Sequence, residues 1–143
     1  MKITIVSNIA LDRIINQDGN IIDSLGGPPC YCGLTSKQFG FKVELVTKFG
    51  KELKGEHLSF FKENDLDIHK NIFSEKPTTR FTIKIMEKGR EISLFAKGES
   101  ISLSDVENIK TDCWLISPIL DEVPEEVLNY VIHKDDKFVM LDP

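Results

Sequence analysis

Residues 26–55, "GGPPCYCGLTSKQFGFKVELVTKFGKELKG", decide how this chain is read. Two glycines are followed by two prolines, then small residues, then a glycine at 40. Pro28 and Pro29 sit where the first turn of a helix loses nothing by a missing N–H, and Gly40 suits a left-handed helix stop. "KVELVTKFG" then predicts a buried strand, so a glycine pair opens a helix that feeds a strand. Cys30 and Cys32 form a C-x-C pair within that helix. A metal site needs further ligands at suitable spacing. Cys113 is remote and His57, His69 and His133 are scattered, which favours small packing residues that let a helix lie close to a sheet.

Outward from this stretch the same alternation continues. "KITIVSNI" is a nearly continuous apolar run, predicting an opening strand covered on both faces and reaching to the aspartate of "SNIALD". "DCWLIS" and "KFVMLD" read as two further buried strands. "KELKGEHLSFFKEN" carries Leu53, His57, Phe60 and Phe61 at helical spacing, and "DIHKNIF" is a short extended segment. "VPEEVLNYVIHK" has proline early, two glutamates in its first turn and His133 and Lys134 in its last, an order that suits the helix dipole. Strands alternating with helices imply an α/β parallel sheet with helical crossovers.

Two hairpins interrupt that series. "RIINQDGNIID" turns at Asp18-Gly19, and "RFTIKIM" with "REISLFA" turns at Lys88-Gly89. Phe81, Ile83 and Ile85 alternate with Thr82, Lys84 and Met86, which predicts one wet face. The hairpins are expected to pair with each other as a small separate sheet. Pro143 follows a strand directly with no helix to cover it, so 1–143 is expected to be the first part of a larger domain.

The totals exclude several classes. The chain has 143 residues, 41% hydrophobic and 29% charged, with a net charge of -5, as in ordinary globular material. No basic stripe suggests nucleic acid, and no apolar run approaches a membrane span. Three cysteines, an odd number, point to a reducing, cytoplasmic setting.

The order of "SNIALD", the glycine pair with its helix and "KFGKELKG", "KPTTRFTIKI", "EKGRE" and the closing "FVMLDP" resembles the N-terminal half of ribokinase-like (PfkB-type) carbohydrate kinases. "NQDGNIIDSLGG", the Tyr31 helix and "LVTKFG" are most similar to the inositol-kinase-like branch. The resemblance implies a central sheet flanked by helices with a small β lid, here segments about 12–25 and 78–97. It implies transfer of the γ-phosphate of ATP, with Mg2+, to a hydroxyl of a sugar, inositol or nucleoside.

Carried over residue by residue, Asp12 matches the aspartate that accepts hydrogen bonds from substrate hydroxyls, and Gly26 and Gly27 match the glycine pair beneath the substrate. Tyr31 stands where many members carry a sugar-binding asparagine. Lys48 either faces the same pocket or is a solvated charge at a strand end. Glu52 replaces an aspartate and is expected to serve a turn. Thr78 and Thr79 fit a lid or simple β propensity, and Asp121 and Glu122 fit the approach to a helix N-terminus.

The family's glycine-rich phosphate turn and its proton-accepting aspartate have no counterpart here, since no "GAGD"-like stretch occurs. No catalytic residue is therefore assigned, and this polypeptide alone is expected to be inactive. The rival is a non-catalytic small-molecule-binding or assembly module without the nucleotide half. Exposed apolar lid faces would invite a second copy, so a homodimer is expected.

Overall fold

A computed structural model describes the chain apart from Lys54, residues 70–72, residues 135–136 and Pro143. The end of the extended segment expected over 67–73 and the proline that follows the last strand thus lie partly or wholly outside the described residues. In chain order the elements are β1 (Lys2–Val6), β2 (Ala10–Ile15), β3 (Ile21–Gly26), α1 (Pro28–Gln38) and β4 (Lys42–Val46). Then come α2 (Gly55–Glu63), β5 (Leu66–Ile68), β6 (Thr79–Met86), β7 (Gly89–Ala96), α3 (Leu103–Val106), β8 (Cys113–Ile116), α4 (Glu125–Ile132) and β9 (Phe138–Leu141).

Five strands form one parallel sheet in the order β5-β4-β1-β8-β9. β1 lies at its centre, and Ile3 to Val6 are buried on both faces, with Thr4 the polar member of the run. Alternation along β1 divides the core. Ile3 and Ile5 join Val43, Leu45, Cys30, Phe61 and Leu66 on the side of α1 and α2. Val6 joins Val46, Trp114, Ile116, Val127 and Val131 on the side of α3 and α4. Each such fully buried aliphatic side chain contributes about 1.5–3 kcal/mol relative to exposure. The small residues of α1 are used for close approach. A Cβ on Gly33 would meet both methyl carbons of Leu66 at 3.2 Å.

The two hairpins form a second sheet, in the order β3-β2-β6-β7. β2 runs parallel to β6 from Ala10↔Thr79 to Ile15↔Lys84, so the hairpins join through their first strands. Paired residues project to the same side of a sheet. One face therefore carries Asp12, Ser24, Phe81, Ile83, Ile92 and Arg90, and the other Arg13, Asp23, Thr82, Lys84 and Glu91.

Two expectations are corrected, and one element is new. The opening strand does not reach the aspartate. β1 stops at Val6, residues 7–9 cross to the second sheet, and Asp12 lies inside β2. The apolar run is continuous because Ile9, Ala10 and Leu11 stay buried during that crossing, and an unbroken run cannot reveal where one strand becomes two. β9 is not a buried strand but an exposed edge, with Phe138 65% and Leu141 51% accessible, because among the described residues it pairs only with β8. The short α3 was not anticipated. It is held by a capping box between Ser102 and Asp105.

Candidate functional site

Asp12 is placed by register. It faces Ser24 on β3 and Phe81 on β6, so its carboxyl stands on the inner face of the second sheet. Beside it β3 ends at Gly26. A Cβ on Gly26 would lie 2.9 Å from the Asp12 Cγ and closer still to Oδ2, so the carboxyl occupies the space that the missing side chain leaves. Gly27 follows with φ +84°, a backbone that other residues adopt only under strain. A Cβ there would meet the Asn8 carbonyl oxygen at 2.7 Å and the Ala10 nitrogen at 3.2 Å. The pair thus turns the chain from β3 into α1 against the strand crossing.

The space above is a cleft of about 480 Å3. Ala10 and Gly27 form its floor, and Tyr31 and Ile119 its sides. Asp12 on β2, Phe81 and Ile83 on β6, and Ile92 and Arg90 on β7 line it together from the inner face of the second sheet. Tyr31 is 61% exposed and serves as a wall. The lining is mostly apolar, with Asp12 as its one carboxylate and Arg90 as its one cation.

Oδ1 of Asp12 is buried and has no hydrogen-bond partner among the described residues. Burial alone pushes the Asp12 carboxyl above the ordinary carboxylate range. The neighbouring Cys30 thiol is pushed up to about 12, first by burial and then by the negative charge of Asp12. It is therefore protonated and inert at neutral pH. All three cysteines are free, and no group of three or more potential metal ligands occurs among the described residues.

Lys48 does not belong to the cleft, and it is not a solvated charge. Its Nζ lies 2.9 Å from Asp105 Oδ1, with the two side chains 11% and 4% exposed. Burial would raise the Asp105 carboxyl. Hydrogen bonds from the Ser102 N–H, Lys48 and the Ser102 hydroxyl, with the lysine charge, outweigh burial and hold it low. Glu122 lies in the approach to α4, two residues before its Pro124 N-cap, but it is not a surface residue there. It is buried, and accepts the N–H groups of Ile119 (2.9 Å), Leu120 (2.9 Å) and Asn8 (3.3 Å). Asp121 pairs instead with Lys97.

Asn8 joins the two sheets and was not singled out in the sequence. Its Oδ1 accepts the Lys48 N–H at 2.9 Å, and its Nδ2 donates to the Glu99 carbonyl at 2.8 Å. Thr78 and Thr79 pin the second crossing. Their hydroxyl oxygens accept the Gly50 N–H (2.9 Å) and the Gly98 N–H (3.1 Å), and Glu52 accepts the Thr78 N–H. Both strand crossings beneath the cleft are thereby tied to the main sheet. Of the second-sheet residues, the parity of Phe81 and Ile83 was readable from "RFTIKIM", but not that they share a face with Asp12. Arg90 shares parity with Ile92 in "REISLFA", which was the available signal.

No family model and no curated protein matches the sequence. Solved structures do. A pyrophosphate-dependent kinase in the ribokinase family, complexed with a pyrophosphate analog and myo-inositol, superposes with a TM-score of 0.82 at 23% identity. The match covers 98% of this chain and 48% of that one. The Methanocaldococcus jannaschii nucleoside kinase, an archaeal member of the ribokinase family, gives 0.78 at 22% identity, covering 99% and 52%. Ribokinase from Thermotoga maritima gives 0.72 at 19% identity, covering 100% and 52%. The chain, a mixed α/β structure with a parallel sheet and a small second β sheet, therefore has the ribokinase fold and spans about half the length of the solved kinases that share it.

Proposed function

We propose that this chain is the acceptor-binding part of a carbohydrate kinase, which moves a phosphoryl group from MgATP to a hydroxyl of a sugar, inositol or nucleoside. The observation that carries the reading is the orphaned, buried Oδ1 of Asp12 in the cleft. A buried acceptor without a partner is costly unless a ligand supplies the donor. Neighbouring hydroxyls are donors that a carboxylate engages together. Gly26 and Gly27 leave room for that contact. The second sheet acts as a lid whose apolar inner face excludes water from the acceptor.

The donor is not held by these residues. The first turn of α1 has little to offer a phosphate, since Pro28 and Pro29 carry no N–H and the Cys30 N–H is turned back to the Gly27 carbonyl at 3.1 Å. The 143-residue chain by itself is proposed to be inactive in transfer. The solved relatives include one in complex with ATP as well as pyrophosphate-dependent enzymes, and ATP with Mg2+ is the donor proposed for the intact protein.

Ile22, Ile92 and Leu94 leave apolar surface exposed on the inner lid face, and a second copy of the chain is its proposed cover. The three unpaired thiols fit a cytoplasmic setting. No helix among the described residues is long and apolar enough to cross a membrane.

Titration calorimetry with myo-inositol, ribose and adenosine tests the reading. At least one should bind, and Asp12→Asn should weaken it about 10–100-fold. Binding that is indifferent to this substitution would remove Asp12 from the site. ATP-dependent phosphorylation by the 143-residue chain alone would overturn the proposed inactivity.

A further inference from the structure

The acceptor cleft has a neighbour. A second cavity, of about 580 Å3 against 480 Å3, opens between the end of β3, α1 and α2. Ser24, Leu34, His57 and Phe60 are among its walls, a mixture of hydroxyl, imidazole and apolar surface. The two spaces touch the same pair of strands. Ser24, on the second cavity, is the cross-strand partner of Asp12, in the cleft. Tyr31 is the one residue that lines both.

Tyr31 stands on a fixed base. Pro28 and Pro29 set the backbone of the first turn of α1. The Tyr31 N–H turns to the Gly27 carbonyl at 3.4 Å, and the Tyr31 carbonyl accepts the Thr35 hydroxyl at 2.9 Å. Helical side chains lean back toward the N-terminus, which brings the ring beside Gly27 in the cleft. Core packing does not account for a tyrosine here, since 61% of it is exposed. The ring stands between two spaces instead of filling one.

We infer that Tyr31 is a specificity-determining residue that closes the acceptor cleft toward the second cavity, so that the substrate class is a single-ring polyol with no base or second sugar attached. The inference rests on the cleft being the acceptor site. A ring whose hydroxyls engage Asp12 fits on the near side of Tyr31. A substituent running from that ring toward Ser24 meets the Tyr31 ring before it reaches the second cavity. Cutting the side chain back to Cβ joins the two spaces. Ser24, His57 and Phe60 then offer a base or second ring both polar and apolar surface.

Calorimetry of the full chain tests this by comparing each ring with an extended form: ribose with adenosine, and myo-inositol with its galactoside, galactinol. The wild-type chain should bind ribose or myo-inositol at least about tenfold more tightly than the extended form of that ring. Tyr31→Ala should bring the extended form to within about threefold of its ring, and Tyr31→Phe, which keeps the partition, should behave as wild type. If the wild-type chain binds an extended form as tightly as its ring, the inference fails while the acceptor site stands, and that comparison needs no variant. If Tyr31→Ala weakens ring and extended form alike, or changes neither, Tyr31 does not divide the two spaces and the inference also fails. If no compound of either kind binds, the acceptor reading fails and takes this inference with it.

Discussion

Gly26 and Asp12 share one space: a Cβ on Gly26 would come within 2.9 Å of the Asp12 Cγ. The backbone of Gly26 is not left-handed, so alanine fits the chain there and collides only with the carboxyl. Gly26→Ala should therefore displace Asp12 and cut acceptor affinity by about tenfold or more, at a stability cost of about 1–2 kcal/mol. In an Asp12→Ala background the same substitution should cost little, and a double-mutant cycle in denaturant measures this. Gly27→Ala is a different case. Its φ of +84° and the Asn8 carbonyl 2.7 Å away leave no side chain to yield, and a loss of about 2–3 kcal/mol is expected in either background.

Asp12 should also set an acid limb for binding. Burial puts its folded-state pKa above the ordinary value. The native state then holds the proton longer than the unfolded chain. The stability this contributes is present at low pH and is lost as pH rises through the folded pKa. Hydroxyl donors need the ionised form, so acceptor affinity should fall as pH drops through that same raised value. Asp12→Asn should remove both dependences, and at neutral pH should stabilise the apo chain by about 1 kcal/mol. Paired thermal melts across pH 4 to 8 check the sign. A wild-type chain that loses stability toward acid relative to Asp12→Asn would contradict it.

What could be read in the sequence was what has a local signature. The glycine pair, the two prolines and Gly40 mark α1 because missing side chains and missing N–H groups constrain the backbone where they stand. The alternation of Phe81 and Ile83 marked a half-exposed strand for the same reason. Asp12 was singled out, but on the wrong strand, because Ile9, Ala10 and Leu11 remain buried while the chain changes sheets. Lys48 was misread, and the tie from Glu122 to the strand crossing went unseen, because those partners lie far along the chain. Asp105 is 57 residues from Lys48, and Asn8 is 114 from Glu122. A charge at the end of an apolar run looks the same whether water or a distant carboxylate meets it.

The Lys48–Asp105 pair gives a clean separation of stability from binding. Lys48→Met leaves a buried carboxylate without its ammonium, although Ser102 still donates to it through N–H and hydroxyl. A loss of about 3 kcal/mol is expected, as for other buried pairs broken on one side. The Asp105 carboxyl is held low in the folded state, so the stability it contributes is present above the unfolded value and is lost as pH falls through the folded one. Lys48 does not line the cleft, and acceptor affinity of the folded variant should stay within about twofold. A large loss of affinity at full folding would return Lys48 to the site.

Glu122 should be the residue whose removal loosens the floor of the cleft. Its carboxylate accepts the N–H groups of Ile119 and Leu120 in its own loop and of Asn8 in the crossing from β1 to β2. It thereby links Ile119, a wall of the cleft, to the strand crossing that carries Asp12. Glu122→Ala strands three N–H groups and should cost about 2–4 kcal/mol. Glu122→Gln keeps one carbonyl acceptor and should lose about half as much. The distinguishing measurement is amide hydrogen exchange. In Glu122→Gln the amides of Asn8, Ile119 and Leu120 should lose protection well before those of β4, because the main sheet keeps its own ladder. Equal loss of protection across both regions would mean that Glu122 supports the whole fold rather than the floor of the cleft.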